Sequence, residues 1–246
     1  MRPSHILSIG DGDIERDLVG EHEVCRMNAK RVTEKWPVFE ILESLLWEPQ
    51  DGYYLLDRHL DRMAGGADYF QYPFDREKVR VAMLAKAAAF TAEPIKVRVM
   101  LAQSGEVVVE GAPAGVRPPA ELVLAATPVD SQNPFLYYKT TNRAVYTEAL
   151  ANRTAGNDVI LYNERGEVTE ASSSNLVFQI EGRLVTPPVS AGLLGGTFRA
   201  ELLEGGQVEE GTVLVDDLKR CERVWLINSV RRWLDARLLA ASEVGS

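Results

Sequence analysis

The sequence contains little cysteine and little histidine for its length. Of 246 residues, two are cysteine and three are histidine. Cys25 and Cys221 lie far apart and form no C-x-x-C pattern, which argues against a zinc site and against a disulfide framework. We therefore predict no bound metal and a reducing compartment.

Long apolar runs and an excess of positive charge are also missing. The N-terminal apolar run spans only residues 6–9 and acidic residues follow it, which predicts neither a signal peptide nor a membrane span. The cytoplasm is the expected location. Lysine and arginine number 27 against 36 aspartate and glutamate residues, a net charge of -9. This balance argues against nucleic acid and membrane partners, but a locally basic site could still bind a small anion.

The remaining composition is that of a globular protein, with 46% hydrophobic and 26% charged residues. Strand and helix patterns alternate irregularly and no internal repeat is present. The predicted fold class is therefore α/β of the α+β kind, rather than a regular βαβ winding. We predict a linker-like arm at 1–35, a small N-terminal α/β domain at 36–128 and a larger C-terminal domain at 134–246. The turn formers between Asp130 and Pro134 mark the boundary.

Local patterns predict the individual elements. In the first half they indicate strands at 39–46 and 53–56, a helix that Asp57 caps and Pro73 ends, a helix from Asp75, a hairpin of 96–102 and 106–110, a loop at 111–119 and a strand at 121–126. In the second half they indicate a helix at 144–155, a strand at 158–162, a hairpin of 176–180 and 183–186, a helix from 198 that stops at 205–206, and a buried strand at 224–227.

Lys139 is the first candidate for chemistry. It follows two tyrosines and precedes two threonines, so its stem should be partly buried. Burial lowers the pKa of an ammonium group, and a neutral amine is what imine formation and proton abstraction require. Taken alone Lys139 would be one lysine among many solvated ones.

Two further segments complement Lys139. Glu170 precedes a hydroxyl-rich run at 172–175, which suggests a polar site, although an exposed acid at a strand end is the simpler explanation. The glycine pair before Thr197 leads into a helix and could hold a phosphate through its backbone.

Arg62 shares a helix face with His59, and a structural role is the better explanation for His59 alone. An amine, a carboxylate and a phosphate-binding loop are the groups needed to bind pyridoxal phosphate.

The order of these motifs resembles the class IV aminotransferases, the fold-type IV pyridoxal-phosphate enzymes. The motifs are HLDR at 59–62, KTTNR at 139–143, NERGEVTEASSSNLVF at 163–178, TPP at 186–188, GLLGGTFR at 192–199 and NSV at 228–230. The resemblance covers roughly Phe39 to the C-terminus, and no single motif would suffice. The resemblance implies the two-domain fold of D-amino-acid and branched-chain aminotransferases, with pyridoxal 5'-phosphate between the halves. It also implies a homodimer whose partner chain helps to complete each site.

The resemblance also implies roles for particular residues. Lys139 would form a Schiff base with the cofactor and shuttle a proton. Glu170 would pair with the pyridine nitrogen, and Arg62 would hold the phosphate. Further cofactor-binding positions implied by the resemblance are Leu194 under the ring, and Gly196, Thr197, Phe198 and Ser229 around the phosphate. For the small-molecule amino substrate, the candidates are Ser44, Arg98 and Arg143.

Within the family, the phrases FEILESL at 39–45, LDRHL at 56–60 and YNERGEVTE at 162–170 are most similar to 4-amino-4-deoxychorismate lyase. The similarity is to the lyase half of bifunctional synthase–lyase chains, and residues 10–35 resemble the junction of such fusions. The implied reaction gives 4-aminobenzoate and pyruvate, a step toward folate. An amino-acid aminotransferase is the alternative, and a non-catalytic remnant is a third interpretation. Ser44 stands where the lyases often have threonine, which leaves the substrate open.

Overall fold

The computed structural model describes residues 36–90 and 92–239. The predicted arm at 1–35 lies outside the described residues. The strands are β1 (Ile41–Glu48), β2 (Gly52–Tyr53), β3 (Ile95–Leu101), β4 (Val107–Pro113), β5 (Ala120–Leu124), β6 (Asp158–Tyr162), β7 (Val168–Ala171), β8 (Asn175–Ile180), β9 (Arg183–Thr186), β10 (Glu209–Glu210), β11 (Arg223–Asn228) and β12 (Arg232–Leu238). The α-helices are α1 (Leu56–Phe70), α2 (Arg76–Ala87), α3 (Ala144–Ala151) and α4 (Thr197–Glu204).

Two sheets organise the described chain. The first is antiparallel with the order β2-β1-β3-β4, and α1 packs on β1 while α2 packs on β4. The second has the order β10-β9-β8-β11-β12-β5-β6-β7, and β5 runs parallel to both β12 and β6. This mixture of antiparallel hairpins, parallel pairs and irregular helices confirms the predicted α+β class. None of the helices in the described part of the chain has the length and apolar content that a membrane span requires.

The start of α1 differs from the prediction. Leu55, in the left-handed conformation with φ 54°, precedes the first helical residue, and Asp57 lies inside the helix rather than capping it. The Asp57 carboxylate instead accepts from Arg76 at 3.1 Å and from Arg80 at 2.5 Å, so ion pairs with α2 replace the cap. The predicted cap of α2 is confirmed, since Asp75 Oδ1 accepts from the Lys78 amide at 3.0 Å.

Four other segments differ from the expected pattern. The loop predicted at 111–119 is wrong at its start, because β4 continues to Pro113 and pairs there with Ile95. The helix predicted at 144–155 ends at Ala151. Strands β7 and β12 were not predicted, and β12 carries Arg and Asp side chains in place of an apolar run. Its pairing with β11 and β5 on both edges makes it a strand, and that is a tertiary effect.

The start of β1 pairs with the segment that carries Lys139, at the place where the candidate residues meet. Strand β2 pairs only with the last residues of β1. The first residues of β1 can therefore bond the segment that carries Lys139. The Leu42 amide donates to Lys139 O at 2.9 Å, and the Thr141 amide donates to Glu40 O at 2.8 Å. The described residues from Val38 onward belong to one compact unit, and the proposed division at 128–134 stays a prediction.

Candidate active site

Most of the predicted site residues line one cavity between the two sheets. They are Ser44, Arg62, Lys139, Arg143, Glu170, Leu194, Gly196, Thr197 and Ser229. The structure places the Phe198 side chain elsewhere, in a buried cluster with Val177, Leu202 and Ile227, so only its backbone in the first turn of α4 faces the glycine loop. Arg98 is not among the lining residues and lies 3.8 Å from Glu110. The individual roles implied for these residues stay predictions.

Lys139 has the electrostatic environment of a reactive amine. Its backbone is fixed on β1, and the ring of the preceding Tyr138 stacks on Tyr69 of α1 at 4.3 Å between centroids. Burial lowers the pKa of Lys139 to about 8, with Arg62 acting in the same direction and Glu43 opposing it. Near neutral pH a useful fraction of this amine is therefore neutral, which nucleophilic attack and proton abstraction both require.

Glu170 presents a carboxylate that is costly to ionise. It lies in β7 with 4% of its surface exposed. Tyr146 Oη donates to its Oε1 at 2.7 Å, the Leu194 amide donates to the same oxygen at 3.3 Å, and Asn175 Nδ2 donates to Oε2 at 3.3 Å. Burial nevertheless raises the pKa of Glu170 to about 7, although the hydrogen bonds from Tyr146 and Leu194 and the charge of Lys139 lower it. A cationic partner in the cavity would relieve that cost.

We expect Glu170→Gln to stabilise the cofactor-free protein in mildly alkaline solution. A carboxyl group whose pKa rises from 4.5 to about 7 on folding destabilises the fold increasingly between those values. The full cost, roughly 3 kcal/mol, applies above the folded-state pKa and vanishes toward the unfolded-state pKa. Urea unfolding across this pH range measures the difference. Glu167→Gln is the matched control, because Arg165 lowers the pKa of Glu167 and no such gain should appear.

Arg62 is held by a buried carboxylate that the sequence did not reveal. Its Nε and Nη2 donate to Glu43 at 2.8 and 2.7 Å, and its Nη1 donates to Gly195 O at 3.0 Å. Burial raises the pKa of Glu43, but Arg62 and His59 together lower it by more than burial raises it. The resulting pKa is about 2. Glu43 is therefore ionised at neutral pH, and it fixes the Arg62 guanidinium beside the glycine loop.

The glycine loop and the first turn of α4 form a cup for an anion. The amides of residues 197–199 have no partner within the helix, because the first i→i−4 bond of α4 runs from Ala200 N to Gly196 O. Thr197 and Ser229 line the same part of the cavity. The helix-start amides and the Arg62 guanidinium favour a phosphate at this helix start. The Ser229 hydroxyl beside them donates to Ser44 O at 3.2 Å in this structure.

The two loop glycines should differ in how much substitution by alanine destabilises the fold. A Cβ at Gly196 would lie 1.9 Å from Asn175 Oδ1, whereas a Cβ at Gly195 meets nothing closer than Val189 at 3.9 Å. Gly196→Ala should displace Asn175 from Glu170 and cost about 1–3 kcal/mol, a usual penalty for overpacking. Gly195→Ala should change stability by less than about 0.5 kcal/mol. Thermal unfolding of both variants tests the pair, and equal effects would contradict the close packing of Gly196 against Asn175.

A group of cations at the cavity was missed by the sequence patterns. Lys96, Arg117 and Arg231 line it together with Arg143. Burial lowers the pKa of Lys96, and Arg117, Arg98 and Arg231 lower it further. Among the described lining residues, Glu170 is the one acid. Residues 96, 117 and 231 belong to three distant segments, and no local motif marks them as neighbours.

Arg143 is oriented by its surroundings. Its guanidinium lies 3.8 Å from the centroid of the Tyr146 ring and donates to the Ser172 carbonyl. These two contacts leave the remaining donors of the guanidinium available to the cavity. A cation in this position can bind a carboxylate next to Lys139 and Glu170.

Comparison with known proteins identifies the relatives of this chain. The family model described as Amino-transferase class IV matches residues 40–239. A candidate aminodeoxychorismate lyase of Schizosaccharomyces pombe is 36% identical, over 78% of this chain and 86% of the relative. The crystal structure of a candidate amino-acid aminotransferase from Mesorhizobium loti has a TM-score of 0.75 at 34% identity and covers 82% of this chain and 100% of its own. A PLP-bound hypothetical aminotransferase from Mycobacterium tuberculosis shares the fold, with a TM-score of 0.70 at 20% identity over 87% of this chain and 89% of its own.

Proposed function

The chain belongs to the class IV aminotransferase family, and on this premise we propose that it is a pyridoxal-phosphate lyase. The proposed reaction converts 4-amino-4-deoxychorismate to 4-aminobenzoate and pyruvate. The observation that carries the choice is the group of four cations, Lys96, Arg117, Arg143 and Arg231, in a cavity with a single described acid. The name of the S. pombe relative supports the same activity.

The cavity fits pyridoxal phosphate on the chemistry of its donors. Arg62, Ser229 and the start of α4 would hold the phosphate, Glu170 would accept from the ring nitrogen, and Lys139 would bond to the aldehyde carbon. The name of the M. tuberculosis structure shows that a protein of this fold binds the cofactor. When bound, the cofactor supplies a cationic ring that stabilises negative charge on the carbon next to the substrate nitrogen.

The charge of the cavity favours a substrate with more than one carboxylate. 4-Amino-4-deoxychorismate carries one carboxylate on its ring and one on its enolpyruvyl group. Arg143 is close enough to lower the pKa of both Lys139 and Glu170, and Lys96, Arg117 and Arg231 add further positive charge to the same cavity. A branched aliphatic side chain would instead need an apolar surface, and leaving these cations without a partner would cost binding energy.

The residues of the chain account for the proton transfers. Lys139 Nζ takes the proton from the carbon that bears the amino group. The ether bond to the enolpyruvyl group then breaks, the ring becomes aromatic, and a proton is returned to the three-carbon fragment, which leaves as pyruvate. Together the two products contain every atom of the substrate, so no keto acid is consumed. An ionised Glu170 would keep the pyridine nitrogen of the cofactor protonated while Lys139 moves the proton.

An amino-acid aminotransferase is the second candidate, because the M. loti relative carries that name at a similar identity. The two activities differ in what they consume. The purified holoenzyme should release 4-aminobenzoate and pyruvate in equal amounts from 4-amino-4-deoxychorismate with no added keto acid. Turnover that depends on 2-oxoglutarate would support the aminotransferase instead. A protein that binds the cofactor but converts neither substrate class would contradict both proposals.

A variant that removes the charge of Lys96 tests whether this residue binds the substrate. Lys96→Met should raise KM for 4-amino-4-deoxychorismate about tenfold and leave kcat within about threefold, since the loss of one ion pair with a carboxylate affects binding more than chemistry. Arg98→Met is the matched control on the same strand, because Arg98 lies near Glu110 and does not line the cavity. Equal effects of the two substitutions would contradict the assignment of Lys96 to the substrate.

A further inference from the structure

A buried chain of polar groups connects β1 to the phosphate cup. His59 of α1 has 1% of its surface exposed, and both of its ring nitrogens have partners. Its Nδ1 lies 2.6 Å from Glu43 Oε2, and its Nε2 lies 3.2 Å from Thr197 Oγ1. Thr197 in turn lines the cavity at the start of α4. His59 therefore contacts a residue of the cup without lining the cavity itself.

The partner on one nitrogen determines what the other can do. Glu43 is an ionised carboxylate and can only accept, so the hydrogen on Nδ1 of His59 is present in either protonation state. A neutral His59 then has a lone pair on Nε2, and the Thr197 hydroxyl must donate to it. A cationic His59 donates from Nε2 to Thr197 Oγ1, which frees the hydroxyl hydrogen to point into the cavity.

We propose that His59 is a positioning residue that sets the direction of the Thr197 hydroxyl, and that a phosphate group in the cup draws a proton onto His59. This inference rests on the cofactor assignment proposed above. A phosphate dianion accepts hydrogen bonds and does not donate them, so it favours the arrangement in which Thr197 donates to it. Because binding and protonation favour the same state, each must strengthen the other.

The groups around His59 set its resting state. Burial lowers its pKa, and Arg62 on the same helix and Lys139 beside the cavity lower it further, whereas Glu43 from β1 raises it. Without phosphate, His59 is therefore neutral near neutral pH, and Thr197 donates to it. A dianion beside Thr197 adds negative charge near the ring and reverses this balance.

Nuclear magnetic resonance can observe the proton directly, because the sequence contains only three histidines, His5, His22 and His59. The ring nitrogens of 15N-histidine-labelled, cofactor-free protein would be recorded near neutral pH, and His59→Gln would assign the signal. Pyridoxamine phosphate is the probe, because it has no aldehyde and cannot bond to Lys139. Pyridoxamine, without the phosphate, is the matched control. We expect a neutral ring with hydrogen on Nδ1 in the free protein and with pyridoxamine, and an imidazolium with pyridoxamine phosphate.

The result separates this inference from the proposed function. A neutral His59 in protein saturated with pyridoxamine phosphate would overturn the inference alone. A protein that fails to bind pyridoxamine phosphate would overturn it together with the cofactor assignment. The coupling is measured as the factor by which the affinity for pyridoxamine phosphate changes when His59 becomes protonated. Thr197→Ser should retain this factor, and Thr197→Val should reduce it tenfold or more. Equal coupling in the two variants would show that the hydroxyl has no part in it.

Discussion

Replacing Lys139 with alanine is expected to lower kcat/KM for 4-amino-4-deoxychorismate by about a thousandfold or more, equivalent to about 4 kcal/mol of transition-state stabilisation. On the proposed assignment, the substitution removes both the group that would bond the cofactor and the base that would move the proton. Its pKa of about 8 is what makes this amine suited to both tasks. Steady-state kinetics on holoenzyme prepared with excess pyridoxal phosphate measures the loss.

A second lysine in the same cavity provides the control for this prediction. Lys96 also lines the cavity, and burial also lowers its pKa, so Lys96→Ala removes a second amine from the same cavity. We expect that variant to keep its bonded cofactor and most of its kcat. If Lys96→Ala were the inactive variant and Lys139→Ala the active one, the assignment of the catalytic amine would be reversed.

Replacing Glu43 with glutamine is expected to destabilise the protein by about 3–5 kcal/mol, as removal of one partner from a buried ion pair usually does. Glu43 is 2% exposed and bonds both Arg62 and His59. The variant leaves the Arg62 charge without its counterion and His59 without its acceptor carboxylate. Urea unfolding of the cofactor-free protein measures the cost, and affinity for pyridoxal phosphate should fall with it because Arg62 is then no longer fixed at the loop.

The same carboxylate predicts how stability depends on pH. The pKa of Glu43 falls from 4.5 to about 2 on folding, so its contribution is present above the unfolded-state value and disappears as the pH falls through the folded-state value. The loss amounts to roughly 3 kcal/mol between those limits. Glu43→Gln should therefore flatten the acid limb of the stability profile.

Glu48→Gln on the same strand is the control for Glu43. Glu48 pairs with Arg232 at 2.7 Å, but its side chain is 26% exposed and that of Arg232 is 48% exposed. A solvated pair of this kind contributes less than about 1 kcal/mol. If the two substitutions cost the same, the buried network around Glu43 would not be a stabilising element of the fold.

The cofactor half of the site could be predicted from the sequence because its chemistry lies in short, ordered motifs. Lys139, Glu170 and Arg62 each had an ordinary structural explanation, and only their combination indicated one site. The structure brings them to a single cavity, with Thr197 and Ser229 beside them. The α+β class and most hairpins were also predictable, because strand and turn patterns there are local.

Ser44 and Arg143 apart, the proposed substrate half could not be predicted, because tertiary pairing creates it. Lys96 lies on β3, Arg117 follows β4, and Arg231 lies in the turn between β11 and β12. The buried position of Glu43 was not predicted for a different reason. A glutamate within an apolar strand suggests a solvent-facing position on an alternating pattern, but β1 is covered on both faces, and Glu43 is buried there with its two partners.

The most direct test of the central claim is borohydride reduction of the pyridoxal-phosphate-loaded protein, followed by mass spectrometry of its peptides. We predict one stable adduct on the peptide that contains Lys139, and none on the peptide that contains Lys96. An unmodified Lys139 in protein that has been supplied with the cofactor would contradict the assignment of the catalytic amine, and so would an adduct confined to another lysine.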